Sequence, residues 1–195
     1  MQDSGAEDLA DIKTILAGDV EAFERIVERH GVAIQRQMRN FTRDIPQVEE
    51  LTQEVFVEAF LNLGKFRGEA PFRNWLAKIA TLLGYKFWRN RERSGKLVSL
   101  SATAEPVAGD GKKSENPGDP AAAAALLHEL LATLPDDDRM AMVLMYLEKL
   151  DQEEIAERMG WTRVKVAVRL YRAKRRLRKL GGREPWKGRL EWMLS

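Results

Sequence analysis

The side chains able to do chemistry in this chain of 195 residues are mostly cations. There is no Cys, which excludes disulfides, thiol catalysis and Cys-based zinc sites. The two His, His30 and His128, lie far apart with no HxxxH-type spacing, so no metal site is expected, and no cofactor. Clustered carboxylates for two metals, a phosphate loop and a nucleophile paired with a base are all missing, so the chain does not read as an enzyme. What remains is charge segregation. The overall balance is only +2, but residues 1–60 carry −7, residues 65–96 carry +7, residues 97–162 carry −8 and residues 163–183 carry +10. The last block holds ten Lys or Arg and no acid. Two basic blocks divided by acidic ones suggest two separate contacts with a polyanion.

The second basic block must be held by the stretch Asp151 to Leu180. Asp151 followed by Glu154 has capping-box spacing for a helix start. Ile155, Ala156 and Met159 give that helix an apolar face, and Gly160 supplies a left-handed stop. Thr162 can cap a second helix, whose Val166, Leu170, Ala173, Leu177 and Leu180 make one apolar stripe. Arg169, Arg172, Arg175, Arg176 and Lys179 are expected on the opposite face, with Arg163 and Lys165 at its start. A helix with an apolar back and a basic front after a tight turn fits a DNA major groove. A solvated basic helix packed on a neighbour is the plainer alternative.

The first basic block is preceded by helices. Ala22, Phe23, Ile26, Val27 and His30 have helical spacing after an Ala17–Asp19 turn with Asp19 as cap, and His30 reads as packed rather than catalytic. Gly31 is expected to break or bend that helix. Val48, Leu51, Val55, Phe56, Ala59, Phe60 and Leu63 form the strongest apolar stripe, with Glu49, Glu50, Glu54 and Glu58 on the other side, ending at Gly64. After a 64–71 loop, Pro71 opens a helix with Phe72, Trp75, Leu76, Ile79, Ala80 and Leu83 at core spacing. Its basic end mixes Lys86, Arg89, Arg91 and Arg93 with Tyr85, Phe87 and Trp88. Aromatics among cations suit single-stranded nucleic acid, because bases stack on rings while cations hold phosphates. Phe72, Trp75 and Phe87 are assigned to the core.

Residues 97–120 are rich in Ser, Ala, Gly, Pro and Asp without any period, the composition of a linker. Such a linker is expected to be disordered in the free protein. Helix resumes from Ala121, and acids at Asp136–Asp138 sit where a helix dipole favours them. The expected fold is all-α, with two small helical bundles joined by a flexible linker, the second carrying a helix-turn-helix. The expected parts are 1–96, 97–120, 121–182 and a 183–195 tail. Trp186, Leu190 and Met193 in that tail have helical spacing and can cap their own domain or meet a regulator.

Taken together these segments resemble the bacterial extracytoplasmic-function sigma factors of the sigma-70 family. DIPQVEELTQEVFVEAF is similar to that family's polymerase-docking helix, FRGEAPFRNWLAKIA to its promoter-melting segment, and LPDDDRMAMVLMYLEKLDQEEIAERMGWTRVKVAVRLYRAKRRL to its −35-binding domain. The resemblance implies a polymerase specificity subunit that recognises promoters, melts DNA and starts transcription. It implies that 1–96 is a region 2 domain and 121–182 a region 4 domain, with core RNA polymerase (β′ clamp helices and β flap) and promoter DNA as partners. An anti-sigma protein is left open as a further partner. Glu50, Leu51, Gln53, Glu54, Phe56 and Val57 would hold the clamp helices. Lys65, Phe66, Arg67, Arg73, Asn74, Lys78, Leu82, Lys86 and Arg89 would face the −10 element. Arg163, Lys165, Ala167, Val168, Tyr171, Arg172 and Arg176 would face the −35 element.

The chain departs from the family pattern at several of these positions. Leu82 stands where Asn is frequent, Lys86 where an acid or amide is frequent, and Ala167 and Val168 where Lys or Arg and then Ser are frequent. Ala167 and Val168 can still touch a thymine methyl. An ordinary helix-turn-helix regulator would explain 151–180 but leave the 64–96 block and the acidic 48–58 helix without a role. No apolar run approaches the ~20 residues that span a membrane, and the polar, acidic start is unlike a signal peptide, so a cytoplasmic protein without membrane insertion is expected.

Overall fold

The computed structural model describes residues 4–99 and 120–182, which contain helices and no strand. The chain divides into two compact units, 1–94 and 95–195. Most of the linker expected at 97–120 and the whole 183–195 tail lie outside the described residues.

Unit 1 is built from α1 (Ser4–Leu16), α2 (Phe23–Met38), α3 (Ile45–Leu61) and α4 (Phe72–Ser99), with short 3-10 turns at Val20–Ala22 and Leu63–Lys65. α4 thus runs three residues past the linker start expected at 97. Ile26, Met38, Val55, Leu63, Phe72 and Leu76 are fully enclosed. Gly31 does not break α2, contrary to expectation; a Cβ there would meet open space, and Ile26 and Ile34 anchor the helix on both sides of it. The cost of a mid-helix glycine, about 1 kcal/mol, is smaller than the burial those anchors supply. Asp19 stands before the Val20–Ala22 turn but makes no side-chain capping bond.

Polar pairings tie the helices of unit 1 across long sequence distances. Gln37 Nε2 donates to Thr81 Oγ1 at 3.0 Å and Trp88 Nε1 to the Phe41 carbonyl at 2.8 Å. The Phe41 and Trp88 rings lie 4.7 Å apart, and Gly84 passes so close to Phe41 that any Cβ would overlap its ring. Trp88 is therefore a core residue rather than a free stacking platform. Between α1 and α2, Asp11 accepts from Arg25 at 2.8 Å and from Arg29 at 2.7 Å, while Asp8 takes Arg29 and, at 2.9 Å, His30 Nε2.

Unit 2 contains α5 (Pro120–Ala132), α6 (Asp136–Met142), a π-type turn (Val143–Leu147), α7 (Gln152–Met159) and α8 (Arg163–Gly181). Met140, Val143, Leu144, Ile155 and Val166 form its core. α7 and α8 are the helix-turn-helix. Asp151 Oδ1 accepts from the backbone of Glu153 at 2.8 Å and Glu154 at 2.9 Å, and Glu154 returns a bond to the Asp151 N–H at 2.8 Å. Gly160 adopts φ 63°, ψ 33°, and the Trp161 N–H closes the turn on the Ala156 carbonyl at 2.8 Å. Thr162 Oγ1 then caps α8 through the Lys165 N–H at 3.1 Å. The amides of Glu153, Glu154 and Lys165, which lack partners within their helices, are thus met by side chains three residues away or fewer.

Two consequences can be measured. Burial alone would raise the Asp11 carboxyl, but hydrogen bonds from Arg29 and Arg25 and their charges outweigh it and hold its pKa below the ordinary carboxylate value. A depressed folded pKa contributes stability that is present above the unfolded pKa, about 4, and lost as pH falls through the folded one. Urea melts of Asp11→Asn should therefore show unit 1 weakened by roughly 1–3 kcal/mol near neutrality, with a shallower further loss on acidification than wild type. Gly160→Ala should lower stability by about 1 kcal/mol, because a Cβ is strained at this left-handed φ although the space around it is open. An unchanged melt in the full chain would mean that the turn relaxes without cost.

Candidate nucleic-acid interface

On α8 the rotation is set by burial of Val166, Leu170 and Ala173. That turns Val164, Val168 and Tyr171 outward, at 73%, 40% and 66% exposure. Arg163, Ala167, Arg172, Arg175 and Arg176 are exposed with them. Val164 lies in the middle of this surface but was not among the expected contact residues; its step of four to Val168 and seven to Tyr171 is the signal that would have found it.

Two cations expected on the front are held elsewhere. Arg169 reaches back to Asp137 at 2.7 Å and Asp138 at 3.2 Å. Lys165 lies 4.2 Å over the Trp161 ring and 3.6 Å from Asp137. The acidic start of α6 thus takes up the flank of α8 that faces it. Arg172, Arg175, Arg176 and Lys179 continue along the same flank around a shallow cavity of about 430 Å³ against Pro135. The surface that α8 offers has an apolar strip edged by guanidinium groups, which can make methyl contacts to bases and charged contacts to phosphates or guanine edges.

In unit 1 the second candidate surface follows the 64–71 loop and α4. Lys65, Arg67, Arg73, Asn74, Lys78, Leu82, Lys86, Arg89 and Arg91 are all exposed. Asn74, Lys78, Leu82 and Lys86 recur every four residues, and the Arg89 guanidinium lies 5.7 Å from the Tyr85 ring. Gly68, with φ 73°, turns the loop. Phe66 differs from expectation: it is half-buried, its ring 5.3 Å from Phe72 and 5.6 Å from Trp75. It shapes the loop as part of an aromatic cluster and offers only part of its ring to a ligand.

The polymerase-docking set separates into two kinds. Glu50, Gln53, Glu54 and Val57 are exposed on α3. Leu51 and Phe56, expected beside them, are only 5% and 6% exposed. Leu51 is a core residue. Phe56 stands edge-on to Phe23, ring centres 6.4 Å apart, and floors a shallow groove between α2 and α3 of about 640 Å³. Val27, Glu28, Val32, Gln35, Gln53 and Val57 line that groove, so its apolar floor is bordered by two amides and one carboxylate.

Comparison with known proteins agrees with this geometry. The model of sigma-70 region 2 matches residues 26–94, and that of sigma-70 region 4 matches residues 124–177. The RNA polymerase sigma-H factor of Pseudomonas aeruginosa is 30% identical over 170 residues, covering 84% of this chain and 88% of the relative. The ECF RNA polymerase sigma factor SigW of Bacillus subtilis is 27% identical over 174 residues, covering 86% and 93%. Among solved structures, CnrH in complex with the cytosolic domain of CnrY aligns with a TM-score of 0.59 at 26% identity, over 88% of this chain and 94% of that one. The chain belongs to the extracytoplasmic-function group of the sigma-70 family, RNA polymerase sigma factors that recognise promoters and initiate transcription.

Proposed function

We propose that the two units divide promoter recognition between them, unit 1 acting as the region 2 domain on the −10 element and unit 2 as the region 4 domain on the −35 element. The observation that carries this reading is that each unit has its own exposed basic surface, and that unit 1 adds an acidic, amphipathic α3. A regulator binding duplex DNA unaided would need only the basic surface of unit 2.

In this reading Glu50, Gln53, Glu54 and Val57, with the Phe56-floored groove, meet the β′ clamp helices of core polymerase, and Leu51 only supports them. Unit 2 meets the β flap. The 64–74 segment receives a base unstacked from the −10 element, and Lys78, Leu82, Lys86 and Arg89 follow the melted strand. Extruding a base costs a few kcal/mol, so the receiving surface has to be largely formed beforehand. The aromatic packing of Phe66 on Phe72 and Trp75 favours such preorganisation. On α8, Arg163, Val164, Ala167, Val168, Tyr171 and Arg172 enter the major groove, with Arg176 toward the phosphates. Lys165 and Arg169 act indirectly, by holding α8 on α6.

The role consists of binding and strand separation and asks for no bond-making chemistry of the chain's own. No helix among the described residues is long and apolar enough to cross a membrane; a cytoplasmic location is part of the proposal, since core polymerase and promoter DNA would be met there. CnrH was solved with the cytosolic domain of CnrY, and a protein partner, an anti-sigma factor, is proposed for this chain.

Run-off transcription with purified core polymerase tests the reading directly: promoter-specific RNA should require both proteins. Arg172→Ala should reduce use of a cognate promoter by about 1–3 kcal/mol of binding, and substitution of the contacted base should cost the wild type but not the variant. Equal loss on every promoter would make Arg172 a phosphate contact. Double charge reversal, Glu50→Lys with Glu54→Lys, should weaken capture of core polymerase while leaving the melting curve unchanged, since both side chains are exposed. Undiminished capture would remove α3 from the docking surface.

A further inference from the structure

Unit 2 has an apolar groove that its described helices leave open. Leu127, Leu130 and Leu131 of α5, Tyr146 and Leu147 of the π-type turn, and Leu177 of α8 line a cavity of about 240 Å³ whose walls are almost entirely carbon. Leu127 and Tyr146 at its mouth stay about two-fifths exposed. Lys174 of α8 has its Nζ 5.5 Å from the Tyr146 ring. Leaving such a surface in water is unfavourable by about 25 cal/mol per Å² of apolar area.

The chain carries a matching segment immediately downstream. Beyond Gly182 come REPWKGRLEWMLS, with Trp186, Leu190, Trp192, Met193 and Leu194 in the last ten residues. Trp186, Leu190 and Met193 are spaced by four and three, one stripe if helical and about 10 Å long. Leu177, itself in the groove wall, stands one helical turn before Gly181 at the end of α8. Chain exit and groove are therefore adjacent. Trp186 is four residue steps from Gly182, enough to reach about 13 Å, and the Gly181-Gly182 pair tolerates a reversal of direction.

We propose that the 183–195 tail folds back and covers this groove with Trp186, Leu190 and Met193. As a tethered segment it competes at an effective concentration in the millimolar range, so any protein that needs the groove must displace it, and the tail sets how available this face of unit 2 is. Leu177 belongs to the buried side of α8, away from Val164 and Val168, so a docked tail leaves the proposed DNA-reading surface free. The inference stands on unit 2 alone and does not depend on which bases are read.

The natural chain has no Cys, so an engineered pair reports cleanly. In the full chain, Leu190→Cys combined with Leu127→Cys, and separately with Tyr146→Cys, should form a disulfide within one molecule under mild oxidant in at least one pair. Its rate should not depend on protein concentration. Adding Trp186→Asp and Met193→Asp should slow it about ten-fold, the least that losing two large apolar anchors should cost. A chain ending at 182 should bind more hydrophobic-surface dye than the full chain. No intramolecular disulfide in either pair, together with equal dye binding, would overturn the proposal. Disulfides that form only between molecules, faster at higher concentration, would overturn it too, by assigning the groove to a second copy.

Discussion

Burial of Val166, Leu170 and Ala173 on one stripe of α8 is the constraint on which the function of unit 2 depends. It fixes the helix's rotation, and rotation decides which side chains face DNA. Turning α8 by one residue would move the register by about 100° and place Val166 in water and a neighbouring cation toward the core. Each large apolar side chain withdrawn from water contributes about 1.5–3 kcal/mol, whereas an unpaired buried charge costs more than that. The apolar stripe therefore decides the orientation. The pairs from Asp137 and Asp138 to Arg169 and Lys165 sharpen it, but as partly exposed ion pairs they are worth at most about 1 kcal/mol each. Their larger effect is to remove two cations from the set that can reach a groove.

The same division runs through unit 1. α3 presents glutamates and Val57 to solvent only because Leu51, Val55 and Ala59 face inward, and α4 lines up Asn74, Lys78, Leu82 and Lys86 because Phe72, Leu76 and Ala80 are enclosed. The charge network between α1 and α2 anchors the first helix together with its buried Ile12 and Ile15. Asp8 and Asp11 face Arg25, Arg29 and His30 almost out of water. Arg29 shows the balance: burial lowers its pKa, but its hydrogen bonds to Asp11 and Asp8 and their charges raise it beyond its usual value, so it stays ionised. Partners so matched tolerate burial that either would resist alone.

Local signals were readable from the sequence and long-range pairings were not. The capping box of α7, the left-handed Gly160, the Thr162 cap and the α8 stripe all act over one to four residues, and each is found where its pattern implied. Whether Arg169 points at DNA or at Asp138 depends on a residue 31 positions away, and no periodicity carries that. Trp88 likewise sits among cations in the sequence, and its enclosure depends on Phe41, 47 positions upstream. Leu51 and Phe56 expose a different limit. A motif that docks a partner also has to build the helix that presents it, and family likeness does not separate the residues that touch from those that support.

The composition of the reading surface has a further consequence. At its centre α8 offers Val164, Ala167, Val168 and Tyr171, none of them a strong hydrogen-bond partner for a base edge. A methyl contact discriminates less than a bidentate hydrogen-bond pair, which is worth about 1–3 kcal/mol. If α8 enters the major groove as proposed, directional readout in unit 2 would rest on Arg163 and Arg172, while Arg175, Arg176 and Lys179 would add attraction to phosphate that is indifferent to sequence and falls with salt. On that proposal the surface would bind DNA readily but select weakly. Selectivity has to come from requiring a second, independent match, and unit 1, with its own exposed basic stripe on α4, can supply one. Two modest recognitions on one chain multiply, provided both sites lie within reach of each other on the same DNA. The segregation of charge into two basic blocks thus meets the physical requirement set by the apolar centre of α8.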